Sequence, residues 1–397
     1  MNAKIKKKLF IEFGDHNLTL AVGEYDSELN FKVLEKDILE TPGYKDGEII
    51  DIVASSDDLK KALENIEEKT SFIFKEVNII SNFSDLESVN LCGFKKLNGN
   101  QVLSEDISFI LNDLRKNIIE NEEEKFILHL FNTKYELDQK VIKNLPIGLY
   151  GQFYSHQLTF FLTNKNNVKN IESLLNRCNL RLNRIVVKSF VEGIKVINND
   201  KNDTFNKIII FKDKIHIISF LESSFCYFKM YNFGSDLILK DISKVCLLNS
   251  ETLNRIILNY DFNNLQNIKD KFLDKNLFVN QSFRKISLEH IFNVALSRIE
   301  EINNIIFNQN RSLSLDIKKK PLYLCIQDEK LKTFQNIIKK NIRHVSYDDI
   351  KSELKFEDID NISISGNLIG KGWVKEAIPF KLKKRSIISR IFSSIFE

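Results

Sequence analysis

The chain has 397 residues, enough for about two or three domains with a sizeable core. Hydrophobic residues make up 43% and charged residues 28%, with 13 glycines and 4 prolines, which excludes a disordered or collagen-like chain. The 58 basic and 54 acidic residues leave a net charge of +4, too small for a surface that coats nucleic acid. No nucleic-acid partner is therefore expected.

The cysteines and the hydrophobic runs indicate where the protein works. Five cysteines are spread along the chain with no CxxC pair and no histidine at ligand spacing, which predicts reduced thiols and no metal site. The basic N-terminal segment is followed by an apolar stretch that Glu12 and Asp15 interrupt, which argues against a secretory signal. No uncharged apolar run approaches the roughly 20 residues that cross a bilayer. We expect a cytoplasmic protein that does not span the membrane.

The first half of the chain begins with a predicted three-stranded meander. A tight turn at residues 14–17 separates the first two strands, and a helix with a buried stripe at Leu59, Leu63 and Ile66 follows. The predicted strands are 8–13, 18–25, 30–37 and 77–81, and the helix covers 49–69. A smaller unit comes next, with a polar loop, a helix from Ser104 to residue 119, and strands at 125–131 and 157–162. A helix at 166–180 and a strand at 184–187 complete this half.

The second half repeats the order of the first. The polar segment 198–206 is predicted to be a linker, and three apolar runs at 207–211, 215–222 and 225–231 again form a meander. Helices are predicted at 236–248, 251–259, 288–308 and 330–340, and strands at 322–326 and 361–365. This internal symmetry predicts a two-lobed α/β protein.

The C-terminal segment FKLKKRSIISRIFSSIFE has the pattern of a basic amphipathic helix that lies in a membrane surface. Its apolar stripe and its cations are expected to bind anionic lipids. The predicted membrane-binding residues are Lys381, Lys383, Lys384, Arg385, Ile387, Ile388, Arg390, Ile391, Phe392, Ile395 and Phe396. The alternative is a terminal helix docked on the core of the protein itself.

Several segments resemble one known family. FILHLFNTKYELDQKVIKNLPIGLYG, residues 126–151, is similar to the pattern LH.P..Y.LD......P.G..G, and the segments 46–63, 102–115 and 177–187 also match. The residues in register are His129, Tyr135, Asp138, Pro146, Gly148 and Gly151. These segments resemble the actin-like ATPase superfamily and, within it, the FtsA family of bacterial cell-division proteins.

The resemblance implies a two-lobed actin-like (ribonuclease H-like) fold with an inserted subdomain and a C-terminal amphipathic helix. The implied domains are 1–83 and 164–203 for the first-lobe core, 84–163 for the inserted subdomain, 204–245 for the second-lobe core, 246–310 for its peripheral subdomain, 311–376 for the rest of the second lobe and the return to the first, and 377–397 for the membrane tail. It also implies tethering of FtsZ filaments to the inner face of the cytoplasmic membrane at the division site, self-association into short filaments, and recruitment of other divisome proteins.

The segments that would bind ATP and Mg²⁺ depart from the family. The stretch 208–220 contains no glycine, although phosphate loops need bare backbone amides. In the first loop Gly14 remains as a vestige, but Asn17 stands where the family has a lysine, and the glycine pair expected after residue 326 is absent. We therefore expect lost or weak ATP binding, and no catalytic residue is assigned. An active actin-like ATPase and a PilM-like pilus-assembly platform protein remain as alternatives.

Two further positions carry hypotheses. Arg298 and Glu301 match the family residues that receive the C-terminal peptide of FtsZ, and their spacing places both on one helix face. The alternative is an ordinary surface ion pair. His129 alternates with Leu128 and Leu130, and we interpret it as a hydrogen-bonded strand histidine rather than a general base.

Overall fold

The structure is a computed structural model that describes residues 7–14, 17–45, 48–308, 320–342, 347–352 and 361–377. The chain forms two compact units. Unit 1 contains Met1–Lys195 with Ile359–Glu397, and unit 2 contains Val196–Asp358.

Unit 1 contains the strands and helices predicted for it and several elements that were not predicted, among them a helix at Lys188–Asp200 that overlaps the linker predicted at 198–206. The strands are β1 (Lys8–Phe13), β2 (Leu18–Tyr25), β3 (Phe31–Leu39), β4 (Tyr44–Lys45), β5 (Glu48–Ile49), β6 (Glu76–Ser81), β7 (Glu87–Lys96), β8 (Lys125–Leu137), β9 (Lys140–Ile142), β10 (Phe153–Asn164) and β11 (Arg181–Val187). The helices are α1 (Ile52–Thr70), α2 (Ser104–Asn121), α3 (Lys165–Arg177) and α4 (Lys188–Asp200). Helix α4 begins in unit 1 and ends in unit 2.

Two sheets organise unit 1. The first has the order β11-β6-β1-β2-β3, in which β1 pairs antiparallel with β2 and parallel with β6. Asp51 caps the N-terminus of helix α1, because its carboxylate accepts hydrogen bonds from the backbone of Val53 and Ala54, and the helix buries Leu59 and Ile66. The second sheet is antiparallel with the order β7-β10-β8-β9.

Strand β7 was not predicted. Its residues lie in the stretch ahead of Ser104 that was expected to be a polar loop, so that prediction was wrong for Glu87–Lys96. Its sequence ESVNLCGFKK has few apolar residues because β7 is an edge strand of the second sheet. Helix α2 packs on one face of this sheet, where Ile110 and Leu114 form a core with Leu158 and Phe160.

Unit 2 has one five-stranded sheet and four helices in its described part. The strands are β12 (Phe205–Ile210), β13 (Ile215–Leu221), β14 (Ser224–Tyr231), β15 (Leu322–Ile326) and β16 (Ile350–Ser352), in the order β14-β13-β12-β15-β16. The helices are α5 (Ser235–Val245), α6 (Ser250–Asn259), α7 (Leu288–Asn303) and α8 (Gln335–Lys340). A π turn at Asn304–Asn308 follows α7, and 3-10 turns lie at Leu265–Asn267, Lys275–Leu277, Glu329–Phe334 and Tyr347–Asp349.

The five-stranded sheets of unit 1 and unit 2 share one topology. In each, an antiparallel meander is followed by a strand that pairs parallel to the first strand of the meander, β6 with β1 and β15 with β12. A further parallel strand, β11 or β16, closes the same edge. This repetition confirms the two-lobed α/β prediction, while the predicted domain boundaries stay predictions.

The chain returns to unit 1 through helix α9 (Asn361–Lys371), so the strand predicted at 361–365 was wrong. The letters ISIS alternate like a strand over only four residues, whereas Ile362, Ser365 and Leu368 are buried at helical spacing. Gly366 packs against Phe31 on β3, where a Cβ would lie 2.2 Å from the ring. The hydroxyl of Tyr25 donates to the carbonyl of Gly366.

Candidate functional site

The hairpin between β1 and β2 contains the predicted vestigial phosphate loop. The backbone N–H of Gly14 donates to the carbonyl of Asn17 at 2.9 Å, and the hydroxyl of Tyr44 donates to the carbonyl of Gly14 at 2.6 Å. A Cβ on Gly14 would lie 2.5 Å from Oδ1 of Asn17. The glycine is therefore used inside the protein to close the turn, while residues 15 and 16 lie outside the described residues.

The corresponding hairpin of unit 2, between β12 and β13, accepts backbone hydrogen bonds from the start of α5. The N–H groups of Ser235 and Asp236 donate to the carbonyls of Phe211 and Lys212 at 3.0 and 2.9 Å. Free N–H groups at a helix N-terminus are the usual site for a phosphate. Here both donate to carbonyls of the protein, and a Cβ on Gly234 would lie 2.3 Å from the carbonyl oxygen of Phe211.

The turn after β15 is tied to the same place. The hydroxyl of Ser235 donates to Oδ2 of Asp328, while Oδ1 of Asp328 accepts from the backbone of Lys330 at 3.0 Å. The N–H of Gln327 donates to the carbonyl of Ile210 at 2.9 Å. Two of the three segments that depart from the family pattern, the stretch 208–220 and the turn after residue 326, therefore lie together at the start of α5. The carboxylate of Asp328 lies beside the first residue of that helix.

Metal ligation has no candidate in the described part of the chain, which contains no group of three or more His, Cys, Asp and Glu side chains that could hold an ion.

Arg298 lies on α7 and joins two carboxylates. Its Nε donates to Oδ2 of Asp241 on α5 and its Nη1 to Oε2 of Glu301, each at 2.5 Å. The hydrogen bond to Asp241 raises the pKa of Arg298. Arg298 and Asp241 are about one-quarter exposed, whereas Glu301 is more than half exposed. The predicted pair is therefore part of a three-charge group with a net charge of −1.

Sequence reasoning missed Asp241 because it lies 57 positions from Arg298 on another helix. Val245, one turn further along α5, is exposed, so the charged group has an apolar neighbour on its own helix face.

The segment after α9 extends the second sheet beside β8. The N–H of Ala377 donates to the carbonyl of Leu130, and the N–H of Asn132 donates to the carbonyl of Lys375, both at 2.8 Å. The chain therefore leaves the described residues from a fixed position on unit 1. Residues 378–397, which include every predicted membrane-binding residue, lie outside the described residues.

Glu376 anchors this segment in the interior of unit 1. Its carboxylate accepts from Nη2 of Arg184 at 2.5 Å and from Nδ1 of His129 at 2.7 Å. Nε2 of His129 in turn accepts from the backbone N–H of Val187, which fixes a neutral ring with its proton on Nδ1. Burial lowers the pKa of His129, and His129 is a hydrogen-bonded strand histidine, as the sequence indicated. Burial alone would raise the pKa of Glu376, but the hydrogen bonds from His129 and Arg184 and the positive charge of Arg184 keep it below its usual value.

None of the helices in the described part of the chain is long and apolar enough to cross a bilayer.

No family model matches the chain. It is 22% identical over 254 residues to the cell division protein FtsA of Buchnera aphidicola subsp. Acyrthosiphon pisum, covering 63% of this chain and 60% of that protein. It is 24% identical over 205 residues to FtsA of Buchnera aphidicola subsp. Baizongia pistaciae, covering 50% and 47%. The matches thus span about half to three-fifths of the curated relatives.

The solved structures give the fold. The PilM-PilN type IV pilus biogenesis complex superposes with a TM-score of 0.50 at 12% identity, covering 92% of this chain and 95% of that chain. An identity this low carries the fold and no function. With its repeated sheet topology, the chain has the two-lobed actin-like fold and resembles the cell division protein FtsA in sequence.

Proposed function

We propose that this chain is an FtsA-like cell-division protein that tethers FtsZ filaments to the inner face of the cytoplasmic membrane. The observation that carries the proposal is the similarity in sequence to proteins named cell division protein FtsA, which extends over 254 residues. The likeness to the PilM-PilN complex concerns the fold alone. A PilM-like role in pilus assembly is the weaker alternative, because the basic amphipathic tail fits membrane tethering.

Attachment to the membrane is assigned to the tail. The apolar stripe and five cations of residues 381–396 would lie in the surface of an anionic leaflet. The fixed position of Ala377 on β8 supports this role, because the tail then leaves unit 1 at a defined point. The protein would be peripheral on the cytoplasmic membrane at the division site.

Recruitment of FtsZ is assigned to the surface of α5 and α7 around Arg298. A carboxylate of the FtsZ C-terminal peptide would exchange with Asp241 on the guanidinium, and a basic residue of the same peptide would pair with Glu301. The predicted inserted subdomain, residues 84–163, is assigned to self-association into short filaments, and other divisome proteins are further partners. These assignments follow the family resemblance.

Nucleotide binding is proposed to be lost or weak. The contacts that support this are the hydrogen bonds by which α5 donates its first N–H groups to Phe211 and Lys212, and the carboxylate of Asp328 beside them. A phosphate there would have to displace protein contacts and face a negative charge. The alternative is an active actin-like ATPase.

The test of the proposed function is localisation in the bacterium that encodes the protein. A fluorescent fusion of the full chain should form a ring at midcell, and deletion of residues 380–397 should disperse the ring without lowering the melting temperature of the purified protein. A fusion that is spread through the cell, or a ring that persists without the tail, would contradict tethering by this route.

A further inference from the structure

Exposed apolar side chains are concentrated at one end of the second sheet of unit 1. They lie on the ends of β7, β9 and β10 and on the loop that joins β9 to β10, and each is between 40% and 73% exposed. We call this surface the apolar rim. It consists of Phe94, Val141, Leu145, Ile147, Leu149, Tyr150 and Phe153.

The sheet register places part of the rim on the face opposite α2. Phe94 pairs with Ser155, Ser155 with Glu136, and Glu136 with Val141, so their side chains form one row across the sheet. Phe94 and Phe153 line the same groove, which has a volume of about 660 Å³. The open face therefore presents aromatic side chains rather than a uniformly polar surface.

Hydrogen bonds within the protein fix the backbone of the loop that carries the rest of the rim. The N–H of Val102 donates to the carbonyl of Leu149 at 2.9 Å, and Oδ1 of Asp138 accepts from the N–H of Phe153 at 2.8 Å. Gly148 has φ +83°, a conformation that L side chains rarely adopt. The backbone is thus fixed while the side chains of Ile147 and Tyr150 face outward. Rigidly presented apolar patches of this kind mark contact surfaces.

The charges around the rim favour an anionic contact. Lys96, Lys140 and Lys143 are exposed beside it. The nearby carboxylates have partners within the protein, because Glu136 forms an ion pair with Lys134 at 2.5 Å and Asp138 accepts backbone hydrogen bonds. Aromatic and aliphatic side chains with lysines around them are the composition that a membrane interface selects.

We propose that the apolar rim is a second membrane-contacting surface, which enters the headgroup region of an anionic bilayer in addition to the C-terminal tail. The inference rests on the proposed membrane attachment and adds a second anchor to it. The tail leaves unit 1 from β8 of the same sheet, so both anchors belong to one unit. Two weak membrane contacts on one unit bind more firmly than either alone and restrict the orientation of the protein.

A fluorescence experiment tests lipid contact directly. The chain has one tryptophan, so Trp373→Phe provides a silent background for a reporter. With Tyr150→Trp, vesicles of phosphatidylcholine and phosphatidylglycerol should shift the emission to the blue, and brominated acyl chains should quench it. The control is Ile73→Trp, at an exposed apolar position between α1 and β6. Equal responses to lipid at positions 150 and 73 would overturn the proposal.

A sedimentation experiment measures what the rim contributes. The variant Ile147→Ser with Leu149→Ser and Tyr150→Ser should reduce partition onto the same vesicles several-fold. The matched control, Ile38→Ser with Val53→Ser and Ile73→Ser, removes three side chains of comparable exposure and should partition like the wild type. Unchanged partition of the rim variant would overturn the proposal.

Two further measurements distinguish membrane contact by the rim from self-association through the rim and from membrane attachment by the tail. If sedimentation velocity without lipid shows that the rim variant loses self-association, while monomer partition onto vesicles is unchanged, the rim is a contact between copies and the proposal fails. If Ile391→Glu with Phe392→Glu leaves partition unchanged while the rim variant reduces it, the tail assignment fails and the rim proposal stands.

Discussion

The guanidinium of Arg298 joins α5 and α7 of unit 2, because it donates to Asp241 on one helix and to Glu301 on the other. Since both carboxylates are partly in contact with water, the pairs contribute little to stability and can exchange for ligand groups. A peptide carboxylate that replaces Asp241 would also free that aspartate for a basic residue. The group is therefore suited to a peptide that carries both charges.

Reversing the charges on α7 tests this. The double variant Arg298→Glu with Glu301→Lys keeps the net charge but places a negative side chain opposite Asp241. Charge-assisted contacts of this exposure are worth about 1–3 kcal/mol together. We expect the FtsZ C-terminal peptide to bind several-fold more weakly, as measured by fluorescence anisotropy.

The matched control is Glu251→Lys with Arg255→Glu, which reverses the pair on α6 of the same unit. It should bind the peptide like the wild type and should unfold at the same temperature. Equal affinity of wild type and the α7 variant would show that Arg298 and Glu301 form an ordinary surface ion pair.

Single residues were predictable from the sequence only where a local pattern fixes their surroundings. The alternation of Leu128, His129 and Leu130 predicted a buried strand histidine, and that was confirmed. Its partner Glu376 is 247 positions away, and Arg184 is 192 positions from Glu376. No local spacing encodes such a pair, because tertiary packing alone brings the groups together.

The start of helix α5 is hydrogen-bonded to two other elements of unit 2. It donates to the β12–β13 hairpin and, through Ser235, to the turn after β15. The close approach of Gly234 to Phe211 leaves no space for a side chain at that position. A ligand phosphate would need the groups that hold these three elements together.

We therefore expect the protein to show no ATP binding in the micromolar range and no hydrolysis above background. Isothermal titration calorimetry with Mg-ATP and Mg-ADP measures the first, and phosphate release measures the second. The physical reason is that the backbone amides that would bind phosphate already donate to carbonyls. A micromolar dissociation constant for Mg-ATP would contradict this and support the ATPase alternative.

Most elements were predictable from their hydrophobic pattern, although helix α4 was missed despite its buried apolar side chains. The meander β1–β3, helix α1 and the meander β12–β14 follow the sequence pattern, because their strands contain apolar runs and the helix has one buried stripe. The edge strand β7 has too few apolar residues to show its period, and helix α9 begins with four residues that alternate like a strand. The predictions for β7 and α9 were wrong because short or half-exposed elements are stabilised by tertiary contacts that the sequence does not reveal.

At the scale of the whole molecule, the repeated topology of units 1 and 2 explains why the fold could be predicted although the nucleotide motifs have diverged. The order of meander, helix and parallel strand is set by hydrophobic patterning in each half. Loop residues that bind a ligand can change without disturbing that pattern. The fold therefore does not determine the function, which depends on the tail and on the exposed surfaces.

The C-terminal tail is predicted to bind the membrane through one face of a helix. If residues 387–396 form the expected helix, Ile391→Glu with Phe392→Glu places two charges in its apolar stripe and removes two side chains worth about 1.5–3 kcal/mol each on burial. The protein should then move from the pellet to the supernatant when it is sedimented with anionic liposomes. The matched control, Ser386→Glu with Ser393→Glu, adds the same charge to the opposite helix face and should weaken binding only by the electrostatic part, about 1 kcal/mol per charge. If the stripe variant still sediments like the wild type, the tail is docked on the protein itself, and membrane attachment has to come from another surface.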